Sequence, residues 1–384
     1  MSDDFKRKLE AYEKGELSGV ELKAFEHELE KLEQYQEILD TSDDKDYSIP
    51  GTDVNKQRNI LRRGKWIARL QTAFIALMMF ILLTIVTSII TSIYYGWGSP
   101  DRVEVLGEII DHTLTVTDPY GNFGGTSMEA GPYFTMTATR DINKQVGDET
   151  VQVGEMDIKF IFSLMGTPER KNVDRSSQHQ LAFSYPHAGP DLESDWTMLE
   201  NIPEGTVVSA FISFDELMET KEVFDVMENK NLELLWLAVD TGVETNEWND
   251  GFISSPIGFP TYPIWHDDDM ILDSREEEKG WFGSKIVSEG YSSPEYREGD
   301  TDILHDQFLK TLHFLSDHER KVKQLYFGPL DLEERIHFLE ENGMRHYGIV
   351  ITGPTKEVLH LKDESWVNVL QIDEIGFWNW HDRQ

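Results

Sequence analysis

The chain has 384 residues, no cysteine, and a formal net charge of −36 at pH 7. Zero cysteine excludes disulfide frameworks, thiolate zinc sites and cysteine nucleophiles. The acidic excess lies beyond residue 97, where 22 Lys and Arg oppose 55 Asp and Glu, a field that disfavours direct contact with nucleic acid or other anionic polymers.

The first 42 residues read as an all-α helical hairpin. Phe5, Leu9 and Tyr12 fall at helical spacing, and Gly15 ends that helix. A second helix starts at Ser18 as N-cap, with Glu21 completing a capping box and Leu17 and Leu22 at the positions of a hydrophobic staple. Leu22, Phe25, Leu29, Leu32 and Leu39 then follow 3-4 spacing, with Gln36 at the remaining seam position. Two short helices cannot bury this stripe alone, so it meets another protein or its own copy; spacing does not separate the two. Phe5, Leu9, Tyr12, Leu22, Phe25, Leu29, Leu32 and Leu39 are the expected partner-binding residues. His27 reads as a surface residue. Residues 43–69 read as a linker, acidic and flexible at first and basic near the membrane.

Residues 70–96 carry the transmembrane helix. TAFIALMMFILLTIVTSIITSIYY is uncharged, and 24 helical residues span about 36 Å against a hydrocarbon core of about 30 Å. Lys56, Arg58, Arg62, Arg63, Lys65 and Arg69 crowd the N-terminal flank, whereas Asp101, Arg102, Glu104 and Glu108 open the other. Positive charge stays inside, so a single-pass protein of the cell membrane is expected, N-terminus cytoplasmic and C-terminal domain extracytoplasmic. Trp66, Arg69, Tyr94, Tyr95 and Trp97 are the expected membrane anchors. A cleaved signal peptide fits less well: the stretch starts too far in, is too long, and lacks a small-residue cleavage site. An exported domain without cysteine suits a Gram-positive bacterium.

Residues 98–199 read as β-rich, with strand-like runs at 114–117 and from Val151 to Phe162. From residue 200 the pattern becomes α+β. VVSAFISF, LELLWLAV and HYGIVITG read as strands, ETKEVFDVMENKN and LEERIHFLEENG as helix and turn. The run from Glu222 set against the run from Glu334 gives a weak internal repeat, each a helix, an Asn-containing turn and a strand ending in Thr-Gly or Asp-Thr-Gly. Residues 243–300, rich in Gly, Ser, Pro and acid, read as long loops suited to ligand contact.

Several motifs invite chemistry. Asp240-Thr241-Gly242 after an apolar strand has the form of an aspartic protease motif, but the corresponding position in the second unit is Thr352, so the second carboxylate is missing. His266-Asp267-Asp268-Asp269 offers oxygen ligands without the spacing of an EF-hand. His305, His313, His318, His337, His346 and His360 form no pair on one helical face. Ser184 and Ser213 lack nucleophile-elbow glycines, and no phosphate loop or dinucleotide fingerprint is present. Trp236, Trp265, Trp281, Trp366, Trp378 and Trp380 read chiefly as packing residues.

Segment 5–40 with the basic flank and single span resembles the sigma factor regulator N-terminal domain of membrane-bound anti-sigma factors of Gram-positive bacteria, the sigma-M type. PEGTVVSAFISFDEL, LELLWLAVDTG, GFPTYPIW and FGPLDLEERIHFLEENGMRHYGIVITGP resemble the family's C-terminal domain. The resemblance implies that the N-terminal helices hold an extracytoplasmic-function sigma factor inactive at the membrane while the exterior domain answers to envelope state. It implies membrane lipid as a further partner and leaves room for a second small membrane protein. No cofactor, metal or enzymatic activity is expected. The His and Cys ligands of zinc anti-sigma factors are not supplied, so apolar helix packing and charge carry the binding. Two other readings stay open: an envelope-anchored hydrolase, and a structural membrane protein that dimerises through the hairpin.

Overall fold

The computed structural model describes residues 7–8, 11–12, 14–42, 54–172, 181–187, 192–244, 251–280, 283–326 and 330–378. Phe5, Leu9, Trp281, Asn379 and Trp380 lie outside them. The chain divides into two compact units, Met1–Met79 and Phe80–Gln384.

In the first unit residues 7, 8, 11 and 12 are helical, and a turn at 14–15 places Gly15 at φ 68°. Helix α1 (Val20–Ser42) follows. It starts two residues past the expected Ser18 cap, because Gly19 takes the left-handed φ of 61° and Lys23 N–H donates to its carbonyl. Helix α2 (Val54–Tyr95) is continuous over 42 residues. The basic stretch 54–69 is therefore helical and not a linker: Lys, Arg, Gln and Leu are good helix formers, and no Pro interrupts them. From Arg58 to Tyr95 this helix is long and apolar enough to cross a membrane.

The second unit opens with helix α3 (Arg102–Thr117), capped by Asp101 in a box with Glu104. The strand expected at 114–117 is its last turn. Leu106, Ile109, Ile110, Thr113 and Leu114 recur at 3-4 spacing and are buried, and burial outweighs the β preference of Thr and Val. Thr113, Thr115 and Thr117 each donate to the carbonyl four residues back, at 2.6, 2.8 and 2.6 Å. An antiparallel sheet follows: β1 (Thr126–Ala130), β2 (Thr135–Val146), β3 (Glu149–Ile161) and β4 (Leu164–Met165) in that order, with β5 (Glu169–Asn172) also on β3.

Beyond β6 (Phe183–Ser184) and α4 (Trp196–Glu200), the second sheet has the order β10-β8-β13-β7-β14. Its members are β7 (Thr206–Glu219), β8 (Glu233–Val239), β10 (Gly258–Pro260), β13 (Arg345–Pro354) and β14 (Val367–Phe377). β13 is antiparallel to both β7 and β8, and β14 is antiparallel to β7. Thus β7 and β8 run parallel with β13 between them, joined through α5 (Thr220–Met227), and β13 and β14 run parallel with β7 between them, joined through α9 (Thr355–His360). These are two interleaved split β-α-β crossovers. The internal repeat expected from sequence is out of phase. The halves are β7-α5-β8 and β13-α9-β14, and both crossover helices begin Thr-Lys-Glu-Val, at residues 220 and 355. The helix starting at Leu332 precedes its strand instead of following it.

Both faces of this sheet are covered, which is why its strands read as continuous apolar runs. On one face Val208, Ala210, Ile212, Leu237, Ile349 and Leu370 pack with Leu304, Phe308 and Leu312 of α6 (Thr301–Asp317) and with Leu332 and Leu339. On the other, Phe211, Trp236 and Tyr347 pack with Tyr120, Phe183 and Ile253. Gly348 permits that second layer: a Cβ there would lie 2.5 Å from both the Ile212 carbonyl oxygen and the Phe183 ring.

The region 243–300 is not only loop. β9 (Phe252–Ile253) pairs with β6, a single 3-10 turn spans Asp267–Asp269, and β11 (Ile271–Gly280) with β12 (Gly283–Ser292) forms an antiparallel ribbon. Helices α6, α7 (Glu319–Tyr326) and α8 (Leu332–Asn342) complete the insertion between β8 and β13.

Candidate functional site

The expected partner surface divides in two. Phe25 is the buried residue among those described at 7–42, and its ring lies 5.5 Å from that of Tyr12 at a 49° tilt. Leu22 and Leu29 are half-buried. These residues hold the segment's own fold. Beyond them the helix is bare: Leu32, Tyr35 and Ile38 are 45%, 65% and 61% exposed, at i, i+3 and i+6 along one side. Tyr35 and Ile38 were missed by the sequence reading because they fall off the heptad seam. Leu39 lies in the same helix.

The membrane-anchor set also divides. Trp66, Arg69 and Trp97 are exposed. Tyr95 is not: it is 1% exposed, and its hydroxyl donates to the carbonyls of Phe134 and Phe162 at 3.0 and 2.5 Å. Tyr94 is half-buried, edge-on to the same two rings. The apolar helix ends against the β1–β2 and β3–β4 turns, and the tyrosines serve that joint.

Asp240 ends β8 and shapes a turn. Its carboxylate accepts from Gly242 N–H and Tyr185 Oη–H, both at 3.2 Å. Burial, set first against the Gly242 hydrogen bond, raises its pKa above the ordinary carboxylate value. Thr352 sits at the other end of the sheet, level with Glu233, while Val239 faces His346. Thr352 Oγ1 accepts from Gly147 N–H at 2.6 Å and donates to the Val208 carbonyl at 2.9 Å. The two positions share no site. The acid beside Asp240 is Glu244, which accepts from Thr241 and from the buried Arg335 at 2.9 Å. That pair clamps the turn to α8.

In the His266-Asp-Asp-Asp run two of the three carboxylates are paired. Lys310 Nζ donates to Asp268 and Asp269 at 2.6 Å each. A different cluster emerges from the fold: Glu108 and His112, four apart on α3, meet His266, with ligand atoms within 4.8 Å of one another. The i, i+4 spacing was the sequence signal, hidden because α3 was not read as a helix. The His112 and His266 rings lie 4.2 Å apart, and His112 Nε2 is buried without a partner. Burial first, and His266 second, depress the His112 pKa to about 3; burial and then Lys310 lower that of His266. His266 Nε2 pairs with Thr311 Oγ1 at 2.9 Å, and Asp269 N–H donates to the His266 carbonyl at 3.0 Å. Beside the cluster a cleft of about 270 Å³ is lined by Glu108, Arg140, Tyr262 and Trp265.

A larger cleft, about 1410 Å³, runs along α5 and the β2–β3 turn and is lined by Phe224, Glu233, Tyr262, Tyr296 and Phe377 among others. Its rings and acids suit a ligand with an apolar body and a positive charge.

Two family models match the chain. The sigma factor regulator C-terminal model covers residues 199–374, essentially the interleaved β-α-β sheet with its insertion. The sigma factor regulator N-terminal model covers residues 58–151: the basic half-turns of α2, the apolar span, α3 and the first strands. That match starts beyond the two N-terminal helices, where the sequence reading had placed the likeness. Over 392 aligned residues the chain is 27% identical to "Probable anti-sigma-M factor YhdL" of Bacillus subtilis (strain 168), covering 99% of this chain and all of that protein. No solved structure matches. With both domains present in order and the likeness running end to end, the chain belongs to the sigma factor regulator family of anti-sigma factors.

Proposed function

We propose that this protein is a membrane-anchored anti-sigma factor that sequesters an extracytoplasmic-function sigma factor of the sigma-M type through its N-terminal helices. The end-to-end similarity to a probable anti-sigma-M factor carries the reading. The charge asymmetry across the span supports a cytoplasmic N-terminus and an extracytoplasmic second unit. Tyr12 and Phe25 fold the segment, and the bare ridge of Leu32, Tyr35 and Ile38 meets a groove on the sigma factor by helix packing. The exterior unit has no catalytic part in this account: it reports envelope state. Its β7–β14 sheet is a rigid frame, and its clefts are the places for a signal molecule.

The test is co-purification of the sigma factor with the full-length chain from membranes, together with a sigma-dependent reporter. Leu32→Asp should release the partner and switch on the reporter at unchanged protein level. A partner retained by Leu32→Asp and by Ile38→Asp would remove this ridge as the contact. Phe25→Asp is a weaker test, because it breaks the segment's own packing.

A further inference from the structure

The joint between the apolar helix and the β1–β2 and β3–β4 turns has an unusual composition. Tyr133, Phe134 and Phe162 all take left-handed backbone conformations, at φ 59°, 60° and 54°. Bulky residues rarely do so. The effect is to turn aromatic side chains toward and around the end of α2. Phe134 and Phe162 stack at 4.4 Å, and Tyr94 meets both edge-on. Phe134 N–H donates to Thr91 Oγ1 at 2.9 Å, and the Tyr133 hydroxyl reaches Thr84 Oγ1, also at 2.9 Å.

Those two threonines set the depth. A hydrocarbon core of about 30 Å takes about 20 helical residues. Counted from Arg69, its far boundary falls near Ile89 and Ile90, so Thr91 sits at the boundary and Thr84 inside it. Residues 130–139 and 160–168 contain no charge in a chain that is 28% charged. Ile161, Phe162, Leu164 and Tyr133 are exposed at the tips, Leu164 at 66%. Several backbone groups there find partners within the protein. Phe162 N–H donates to the Phe134 carbonyl at 2.8 Å, Gly131 N–H to Thr135 at 2.9 Å, Gly166 N–H to Lys159 at 2.8 Å, and Tyr95 serves the carbonyls of Phe134 and Phe162. Irregular backbone persists at membrane depth only when its polar groups find such partners.

We propose that the tips of the β2–β3 sheet, at Tyr133–Phe134 and Ile161–Leu164, are inserted into the lipid leaflet on the side of the second unit, as a second membrane contact beside the span. The occupant of this surface is lipid, because the exposed tips continue the surface of a helix already in contact with it. The tips then fix the exterior unit against the bilayer, and changes in the packing or thickness of that leaflet bear directly on β2 and β3.

The inference rests on the membrane-anchored reading of α2, and the test separates the two. The absence of native cysteine allows single-site labels. Full-length Leu164→Cys, Ile161→Cys, Leu82→Cys in the span and Met198→Cys on the exposed surface of α4 are labelled with bimane. They are reconstituted into phosphatidylcholine–phosphatidylglycerol vesicles carrying doxyl-labelled lipid. The expected result is strong quenching at 161, 164 and 82 and little at 198, with 161 and 164 quenched most by a shallow doxyl group. Quenching at 82 with 161 and 164 no more affected than 198 overturns the proposal and leaves the anchor intact. Absence of quenching at 82 as well overturns the anchor reading and the proposal with it. Quenching at 161 and 164 that appears only when the protein is diluted in lipid assigns the tips to a second copy of the chain and overturns the lipid assignment.

Discussion

The N-terminal segment and the second unit solve burial in opposite ways. In the second unit β7 alone contributes an unbroken buried run at residues 206–214, covered by side chains on both faces. Along α1, Phe25 is buried while Leu32, Tyr35 and Ile38 stand in water. A sheet closed on both sides keeps its own shape. A helix that leaves its apolar side open lowers its free energy further only by meeting something else. The second unit is thus built to persist and the segment to associate.

The largest effect that separates them is a core deletion. Trp236 is fully buried, and its indole N–H donates to the Thr115 carbonyl at 3.1 Å, tying α3 to the second sheet. Trp236→Ala should cost about 3–5 kcal/mol of the second unit's stability, read as a lower thermal midpoint for that unit. An equal loss from Phe25→Ala on the same transition would break the distinction.

Next is the bare ridge. Leu32→Asp should weaken capture of the sigma factor by about 2 kcal/mol, roughly 30-fold in Kd, as loss of an apolar anchor does. Titration of solubilised chain against the sigma factor measures it, with the melting transition of the second unit unchanged.

The third sharpens the core of the second unit. His112 is held neutral, its pKa depressed to about 3 by burial and by His266, and His346 to about 3 by complete burial. His346 Nδ1–H donates to the Ala238 carbonyl, so its Nε2 accepts from Thr220 Oγ1. A lowered folded pKa means that the unfolded chain binds the proton first. Stability is complete above pH 6.5 and falls as pH drops from 6.5 toward 3, by up to about 1.4 kcal/mol per pH unit for each histidine. Asp118 and Glu233, raised by burial, act in the opposite sense. The measurement is therefore a difference: His112→Leu should show a shallower fall of thermal midpoint below pH 6.5 than the parent chain. Parallel curves would show that His112 is protonated in the fold.

The smallest effect belongs to Asp240. Asp240→Asn keeps an acceptor for Gly242 N–H and should cost at most about 1 kcal/mol, with no change in the sigma-dependent reporter. Hydrolysis of unfolded protein or cell-wall fragments that disappears in this variant would restore the hydrolase reading.

The sequence by itself determined what depends on local pattern. The uncharged run marks the apolar helix, and its basic flank marks an orientation. Uninterrupted runs such as VVSAFISF and LELLWLAV mark strands covered on both faces, and 3-4 spacing marks α1. Only the tertiary structure decided what depends on distant partners. The β-branched end of α3 is helical because Ile109, Ile110 and Leu114 are buried against other elements. The phase of the internal repeat required knowing that β13 inserts between β7 and β8, since pairing across more than a hundred residues leaves no trace in spacing. Tyr95 and Trp97 look alike as interfacial aromatics in sequence. The turns around Phe134 and Phe162 bury the first and leave the second in the open, a choice made by backbone carbonyls that no periodicity records.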